Sequence, residues 1–209
     1  MTIVPSVISV ADHAGWAQIV CVAAPDRVPA VVDRQRVTLI DSGLPTMPYH
    51  HESLELREDE ANALIARVRQ SIAMCTRRAL DGIVTALAPR HAVVALAIRE
   101  PTFAELPDSV VPVRQSYQLQ CAADGMMYQF ALCQAARDLG LDVQLCRRGE
   151  ETARAAARLG VRPDVVESFV SDRGRPSGPP WTQEHRRAFA AGIAALAHVV
   201  RPSALSRSM

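Results

Sequence analysis

The alternation of apolar and polar positions predicts short strands near the start of the chain. Two β-branched runs, residues 7–10 and 19–22, flank a polar turn that contains Gly15, and this pattern predicts a β-hairpin. A third run, residues 36–41, ends at a Ser-Gly pair and predicts another antiparallel strand. Residues 28–32 fit either a loop or an extension of the second strand. The amino-terminal part is therefore predicted to be an antiparallel meander.

A helical period follows. Between residues 58 and 87 an apolar residue recurs every three or four positions, which predicts a long amphipathic helix. Three acidic residues, 58–60, open it at the positive end of the helix dipole. Gly82 marks a weak point or an end, and Pro89 disfavours helical geometry in the residue before it.

Residues 91–98 form an almost wholly apolar run, which is typical of a central strand that is buried on both faces and parallel to its neighbour. Thr182 is predicted to be the N-cap of a final helix. The loop over about 171–180, rich in Pro, Gly and Ser, is expected to be flexible, and the tail after 201 to fray. The other predicted elements are a helix over 122–140, a strand over 141–146, and helices over 150–159 and 163–170.

Composition narrows the class of protein. A length of 209 residues fits one domain, so residues 1–209 are predicted to form a single unit. The five cysteines include no C-x-x-C pair, which favours buried thiols in a reducing compartment over disulfides or a zinc site. No signal-peptide pattern and no bilayer-length apolar run is visible, and a cytoplasmic protein without membrane contact is expected.

The charged residues are nearly balanced. All 23 basic residues are arginines, against 22 acids, for a net charge of +1. This balance argues against a grossly basic nucleic-acid-binding protein but allows a local patch. The planar guanidinium of arginine is also better suited than the ammonium of lysine to bind phosphate oxygens.

Two acids stand at predicted strand ends. Asp12 ends the first strand, and Glu100 follows the apolar strand. In open α/β sheets the carboxyl edge is where ligands bind, so both are candidates for metal binding or acid–base chemistry. The alternatives are a turn-forming Asp12 that accepts backbone N–H groups and a plain solvated Glu100.

A second candidate cluster is His50-His51-Glu52, in the proline-punctuated segment 44–56. Such residue types bind metals, but adjacent side chains diverge and no further ligand follows at a suitable spacing. A surface loop is therefore favoured over an enzyme site for a small molecule.

The order of elements resembles the RNase H-like fold, an α/β fold with a mixed five-stranded sheet flanked by helices. Three antiparallel strands are extended there by two parallel ones. Within this superfamily the sequence is most similar to RuvC-type Holliday junction resolvases. Asp12 with Gly15 resembles the family's first strand and turn, residues 122–125 and 135–143 its crossover helix and fifth strand, and residues 185–198 its alanine-rich closing helix.

The resemblance implies a metal centre. Nucleases of this kind use two Mg²⁺ or Mn²⁺ ions, held by carboxylates that distant strands bring together. Asp12 matches the first-strand aspartate, and Glu100 matches the acid that ends the fourth strand. A shared ion requires the carboxylate oxygens of these two residues to meet.

The last helix departs from the family, which has a pair of aspartates there. Arg187 and Ala190 stand near the expected places, and Glu184 and His185, slightly earlier, are candidate substitutes. The alternative places both in a first turn near the helix dipole. Asp124 is a further acid that is predicted to cap a helix.

The leading hypothesis is therefore a metal-dependent endonuclease that hydrolyses phosphodiester bonds in structured nucleic acid, DNA rather than RNA. Asp12, Glu100, Glu184 and His185 would form the catalytic and metal-binding set, with Mg²⁺ or Mn²⁺ as cofactor. The competing hypothesis is an inactive RNase H-like module that binds a protein partner or nucleic acid, because the net charge is near zero and the acid pair is missing. A homodimer through the helix over 58–87 is also expected.

Overall fold

A five-stranded mixed sheet forms the centre of the structure, a computed structural model that describes residues 3–102, 105, 108–173 and 178–200. The strands are β1 (Val4–His13), β2 (Trp16–Ala23), β3 (Ala30–Thr38), β4 (His91–Arg99) and β5 (Asp142–Cys146). The helices are α1 (Glu58–Leu87), α2 (Val110–Arg114), α3 (Tyr117–Asp138), α4 (Glu151–Leu159), α5 (Pro163–Arg173) and α6 (Gln183–Val199). Two short 3₁₀ turns cover Pro25–Arg27 and Glu52–Leu54.

The strand order is β3-β2-β1-β4-β5. The first three strands are antiparallel, with Asp12 opposite Ala17, whereas β4 runs parallel to both β1 and β5. The predicted RNase H-like arrangement of three antiparallel and two parallel strands is therefore confirmed. Because β1 and β4 are parallel, their carboxyl ends meet at the same edge of the sheet.

Helices cover both faces of the sheet. One core joins the sheet to α1 and α3, and a second joins it to α4, α5 and α6. The α6 helix lies close to the sheet because it is rich in alanine and has Gly192 at the contact. A Cβ added to Gly192 would lie 2.5 Å from Cγ2 of Val22, so the backbone of α6 lies almost directly on β2.

The third strand differs from the prediction. It covers Ala30–Thr38 rather than 36–41, so residues 30–32 belong to it and not to a loop or to the second strand. The strand lies at the sheet edge and carries polar residues, which weakens its apolar signal. Leu39 and Ile40 are buried but follow the strand, and the Leu39 N–H donates to the Gly15 carbonyl at 2.9 Å.

The predicted long helix is confirmed and continues through Gly82, which is neither a break nor an end. The α3 helix begins at Tyr117, five residues earlier than predicted, and Ser116 is its N-cap. Asp124 therefore lies well inside this helix, and its prediction as a helix cap was wrong. The α2 helix lies between β4 and α3, where the sequence analysis predicted no helix, and the hydroxyl of its N-cap Ser109 accepts a bond from the Val111 N–H.

The α5 helix extends to Arg173, so the first part of the expected flexible loop over 171–180 is helical. The rest of that prediction falls partly on residues 174–177, and the frayed tail on 201–209, which lie outside the described residues. Within the described ranges, no helix has the length and apolar character needed to cross a bilayer.

Candidate functional site

Asp12 is the most enclosed acid at the carboxyl edge of the sheet, and its side chain is only 4% exposed. The pairing of β1 with β4 ends at Ser9 and Ala97, so Asp12 and Arg99 both lie just beyond it. Nη2 of Arg99 donates to Oδ2 of Asp12 at 2.8 Å, and the amide of Gln129 from α3 donates to the same oxygen at 2.9 Å. Among the described residues, this carboxylate thus accepts hydrogen bonds from two side chains rather than from the backbone of the turn.

Glu100 is placed differently, because neighbouring residues of an extended chain point to opposite sides. Its N–H continues the sheet by donating to the Cys146 carbonyl at 2.9 Å. Its carboxylate is 3.3 Å from Nε of Arg147, and both side chains are largely solvated. An exposed pair of this kind contributes little to stability.

Two cavities open at this edge of the sheet. The first, of about 300 Å³, is lined by Asp12 and Glu184, and the second, of about 530 Å³, by Glu100. Arg99 and Arg148 line both. The structure thus brings Asp12 and Glu184 to one cavity and Glu100 to its neighbour.

Glu184, in the first turn of α6, faces a histidine rather than a second acid. Its Oε1 is 3.0 Å from Nε2 of His13, without the alignment of a hydrogen bond. The His13 ring stacks on Trp16 at 4.0 Å, and Arg36 covers Trp16 at 3.8 Å. This row of side chains fixes the wall of the first cavity next to Asp12.

His185 lines neither of the two cavities. It is buried, and its Nδ1 accepts a hydrogen bond from the Thr182 N–H at 3.2 Å and lies 2.7 Å from the Thr182 hydroxyl. Burial, and then the nearby Arg34, lower the pKa of His185. Its observed role is in a capping box with Thr182, the predicted N-cap of α6.

The residues at the edge do not form a metal-binding group in this arrangement. Among the residues that the structure describes, no three His, Cys, Asp or Glu side chains converge as metal ligands. Hard divalent cations need several oxygen ligands, and the Asp12 carboxylate already faces a guanidinium. Each of the three candidate carboxylates at this edge, on Asp12, Glu100 and Glu184, thus faces a basic side chain of the protein.

Several residues of the edge were not found as candidates from the sequence. Arg99, Gln129 and Arg148 belong to no motif, and His13 lies in the turn of the predicted hairpin. Strand alternation was the available signal for Arg99. Side chains alternate along a strand, so only one of the adjacent residues Arg99 and Glu100 can face Asp12. That residue is Arg99.

His50, from the other candidate cluster, is half-buried beside the second cavity. Its Nδ1 lies 3.6 Å from Sγ of Cys121, which lines that cavity. Asp124 lies beneath this loop, almost fully buried, and accepts bonds from the N–H groups of Tyr49 and His50, each at 3.0 Å. Burial raises the pKa of Asp124 to about 7.

No protein-family description and no curated protein matches the sequence. Among solved structures, RuvC of Thermus thermophilus matches with a TM-score of 0.52 and 11% identity, over 93% of this chain and 95% of that one. T. thermophilus RuvC in complex with a Holliday junction substrate matches with a TM-score of 0.55 and 11% identity, over 95% and 97% of the two chains. At this identity the similarity concerns the fold, and the chain has the RuvC-like form of the RNase H-like fold.

Proposed function

We propose that this chain is an RNase H-like module that binds nucleic acid through arginines at the carboxyl edge of its sheet, without two-metal hydrolysis. The observation that carries this proposal is the pair between Arg99 and Asp12. The residue expected to hold the first metal ion is thereby neutralised by a cation of the protein itself.

Nucleic acid is the proposed ligand because of the fold and of two arginines at this edge. One RuvC structure that this chain resembles is a complex with a Holliday junction. At the carboxyl edge, Arg148 and Arg187 line the first cavity, and neither has a carboxylate partner among the described side chains. Guanidinium groups without such partners are suited to phosphate oxygens, and phosphate contacts supply most non-specific binding to nucleic acid.

The proposal is tested by measuring binding and metal dependence separately. Fluorescence anisotropy with a labelled four-way DNA junction should show the same affinity in EDTA and in Mg²⁺, falling steeply with salt. Calorimetry should show no saturable Mn²⁺ binding, and incubation with Mn²⁺ should yield no cleaved strands. Absence of any nucleic-acid binding would overturn the proposal.

The metal-dependent nuclease is the second candidate, because Asp12 and Glu184 line the same cavity. It requires the Arg99 side chain to leave Asp12 and either Glu100 or His185 to approach. It predicts Mn²⁺-dependent cleavage that is lost in Asp12→Asn. Asp164→Asn is the matched control, since that acid lies on α5 in an exposed pair with Arg162. Cleavage lost only in the first variant would replace the leading proposal.

Three finer predictions belong to the same proposal: a preference for DNA over RNA, dimerisation through α1, and a cytoplasmic location. The outer side of α1 carries Met74, which is 51% exposed and so offers some apolar surface. An RNA junction of the same sequence tests the preference, and sedimentation of the full chain tests the dimer.

A further inference from the structure

The second cavity combines charge and an exposed aromatic ring. Three arginines, Arg99, Arg147 and Arg148, line it together with one carboxylate, Glu100. Tyr117, the first residue of α3, also lines it and is 66% exposed. No other large apolar or aromatic side chain is as exposed within the described part of the chain.

Two of these arginines are available to a ligand. Arg99 is held by Asp12, but Arg147 has only the solvated pair with Glu100, which an anion can replace at little cost. Arg148 has no carboxylate partner among the described residues. Both follow β5 directly in the chain, and both line the second cavity.

Tyr117 differs from the two tryptophans of the chain, whose rings are already covered. Trp16 lies between His13 and Arg36, and Trp181 packs against Phe189 and lies near Arg34. Within the described residues, the Tyr117 ring has one aromatic neighbour, the His50 ring, in an edge contact at 4.8 Å. It therefore keeps most of its surface free for a planar ligand.

We propose that the second cavity binds one unpaired nucleotide of a nucleic acid, with its phosphate on Arg147 and Arg148 and its base stacked on Tyr117. This inference rests on the proposed nucleic-acid binding and adds a site and a substrate class to it. Basic grooves that carry aromatic side chains are the usual means of holding single strands, because every base has a face that can stack. A base inside a duplex has no free face for Tyr117.

The test uses the full chain with a fluorescent twelve-residue oligothymidylate and a blunt duplex of the same length. The single strand should bind more tightly than the duplex. Tyr117→Ala should raise the Kd for the single strand by about tenfold, as expected when one stacked base is lost, whereas Tyr117→Phe should not. Arg148→Gln should lower the slope of log Kd against log salt by about 0.7, the value for one phosphate contact on a single strand. Arg90→Gln is the matched control, because this exposed arginine precedes β4 at the opposite edge of the sheet.

Cysteine protection gives an independent readout. Cys121 lines the second cavity and is partly exposed, whereas Cys75, also partly exposed, lies on α1 and donates to Asp41. Oligothymidylate should slow the alkylation of Cys121 by iodoacetamide and leave Cys75 unaffected, as measured by peptide mass spectrometry.

The outcomes separate the two proposals. Single-strand binding that neither Tyr117→Ala nor Arg148→Gln weakens would overturn the nucleotide site and leave the nucleic-acid function standing. Equal affinity for single strand and duplex would also overturn it. Failure of the wild-type chain to bind any nucleic acid would overturn both.

Discussion

The buried carboxylate of Asp124 makes the stability of this protein depend on pH in an unusual direction. Its two oxygens accept the N–H groups of Tyr49 and His50, which favours the charged form, but burial outweighs them and raises the pKa to about 7 from an ordinary value of 3.8. Below about pH 4 this carboxyl is protonated in both the folded and the unfolded chain. As the pH rises from there to about 7, the unfolded chain releases the proton and the folded chain keeps it, so the free energy of unfolding falls.

The size of this effect follows from the shift. Each unit of pKa difference corresponds to about 1.4 kcal/mol, so the full window costs on the order of 4 kcal/mol. Between pH 5 and pH 7.5 we expect a loss of about 2–3 kcal/mol from this residue alone. Asp124→Asn removes the titrating proton, and its stability should lack this contribution.

Urea unfolding of the wild-type protein and of Asp124→Asn at pH 5 and at pH 7.5 measures this contribution of Asp124 to the free energy of unfolding. The difference between the two proteins should change by the stated amount, because other titrating groups are common to both and cancel. Asp41→Asn is the control, since hydrogen bonds from Ser71 and Cys75 hold the pKa of Asp41 below its ordinary value and outside this range. A constant difference between wild type and Asp124→Asn would show that the N–H bonds to Asp124 outweigh burial, and would refute the reasoning.

Two further predictions concern packing. Gly192→Ala should destabilise the protein by about 1–3 kcal/mol in urea unfolding, because the new Cβ would overlap Val22; Gly82→Ala, where a Cβ meets nothing within 4 Å, should instead stabilise by about 0.5–1 kcal/mol. Tyr128→Phe should cost about 1–2 kcal/mol, since the hydroxyl donates to the Thr46 carbonyl at 2.9 Å and its loss leaves that acceptor without a partner. Equal stability of the two alanine variants, or no effect of Tyr128→Phe, would contradict these assignments.

The elements predicted best from the sequence are those with a long periodic pattern or with an unbroken run of apolar residues. The α1 helix is predicted with both of its ends, and β4 to within one residue, because an unbroken amphipathic or apolar pattern leaves little choice. The edge strand β3 was misplaced because polar residues fill its middle, 33–36, and the buried pair Leu39 and Ile40 beyond its end extends the apparent apolar run. An apolar pair marks burial, and it does not by itself mark a strand.

The candidate site was also predicted in part. Sequence order and strand type predicted that Asp12 and the end of β4 would meet at one edge, and they do. Whether Arg99 or the adjacent Glu100 faces Asp12 depends on the twist of β4 and on where the strand ends. The two residues carry opposite charges, so the chemistry of this edge depends on which of them faces Asp12. Gln129 was beyond sequence reasoning, because it reaches Asp12 from a helix more than a hundred positions away.

The pair between Arg99 and Asp12 also sets how strongly this edge resists a metal ion. A divalent cation that takes the Asp12 carboxylate must first separate it from the guanidinium. The charge-assisted hydrogen bond that is lost contributes about 1.5–3 kcal/mol when shielded from water, and about 1–3 kcal/mol here because the Arg99 side chain is 35% exposed. That cost weakens apparent metal affinity by about 5- to 150-fold, before any shortage of further oxygen ligands is considered. A ligand that carries its own negative charge meets no such competition, since it approaches Arg148 and Arg187 and leaves the pair intact. The pair that weakens cation binding at this edge therefore leaves Arg148 and Arg187 for the phosphate contacts that we propose.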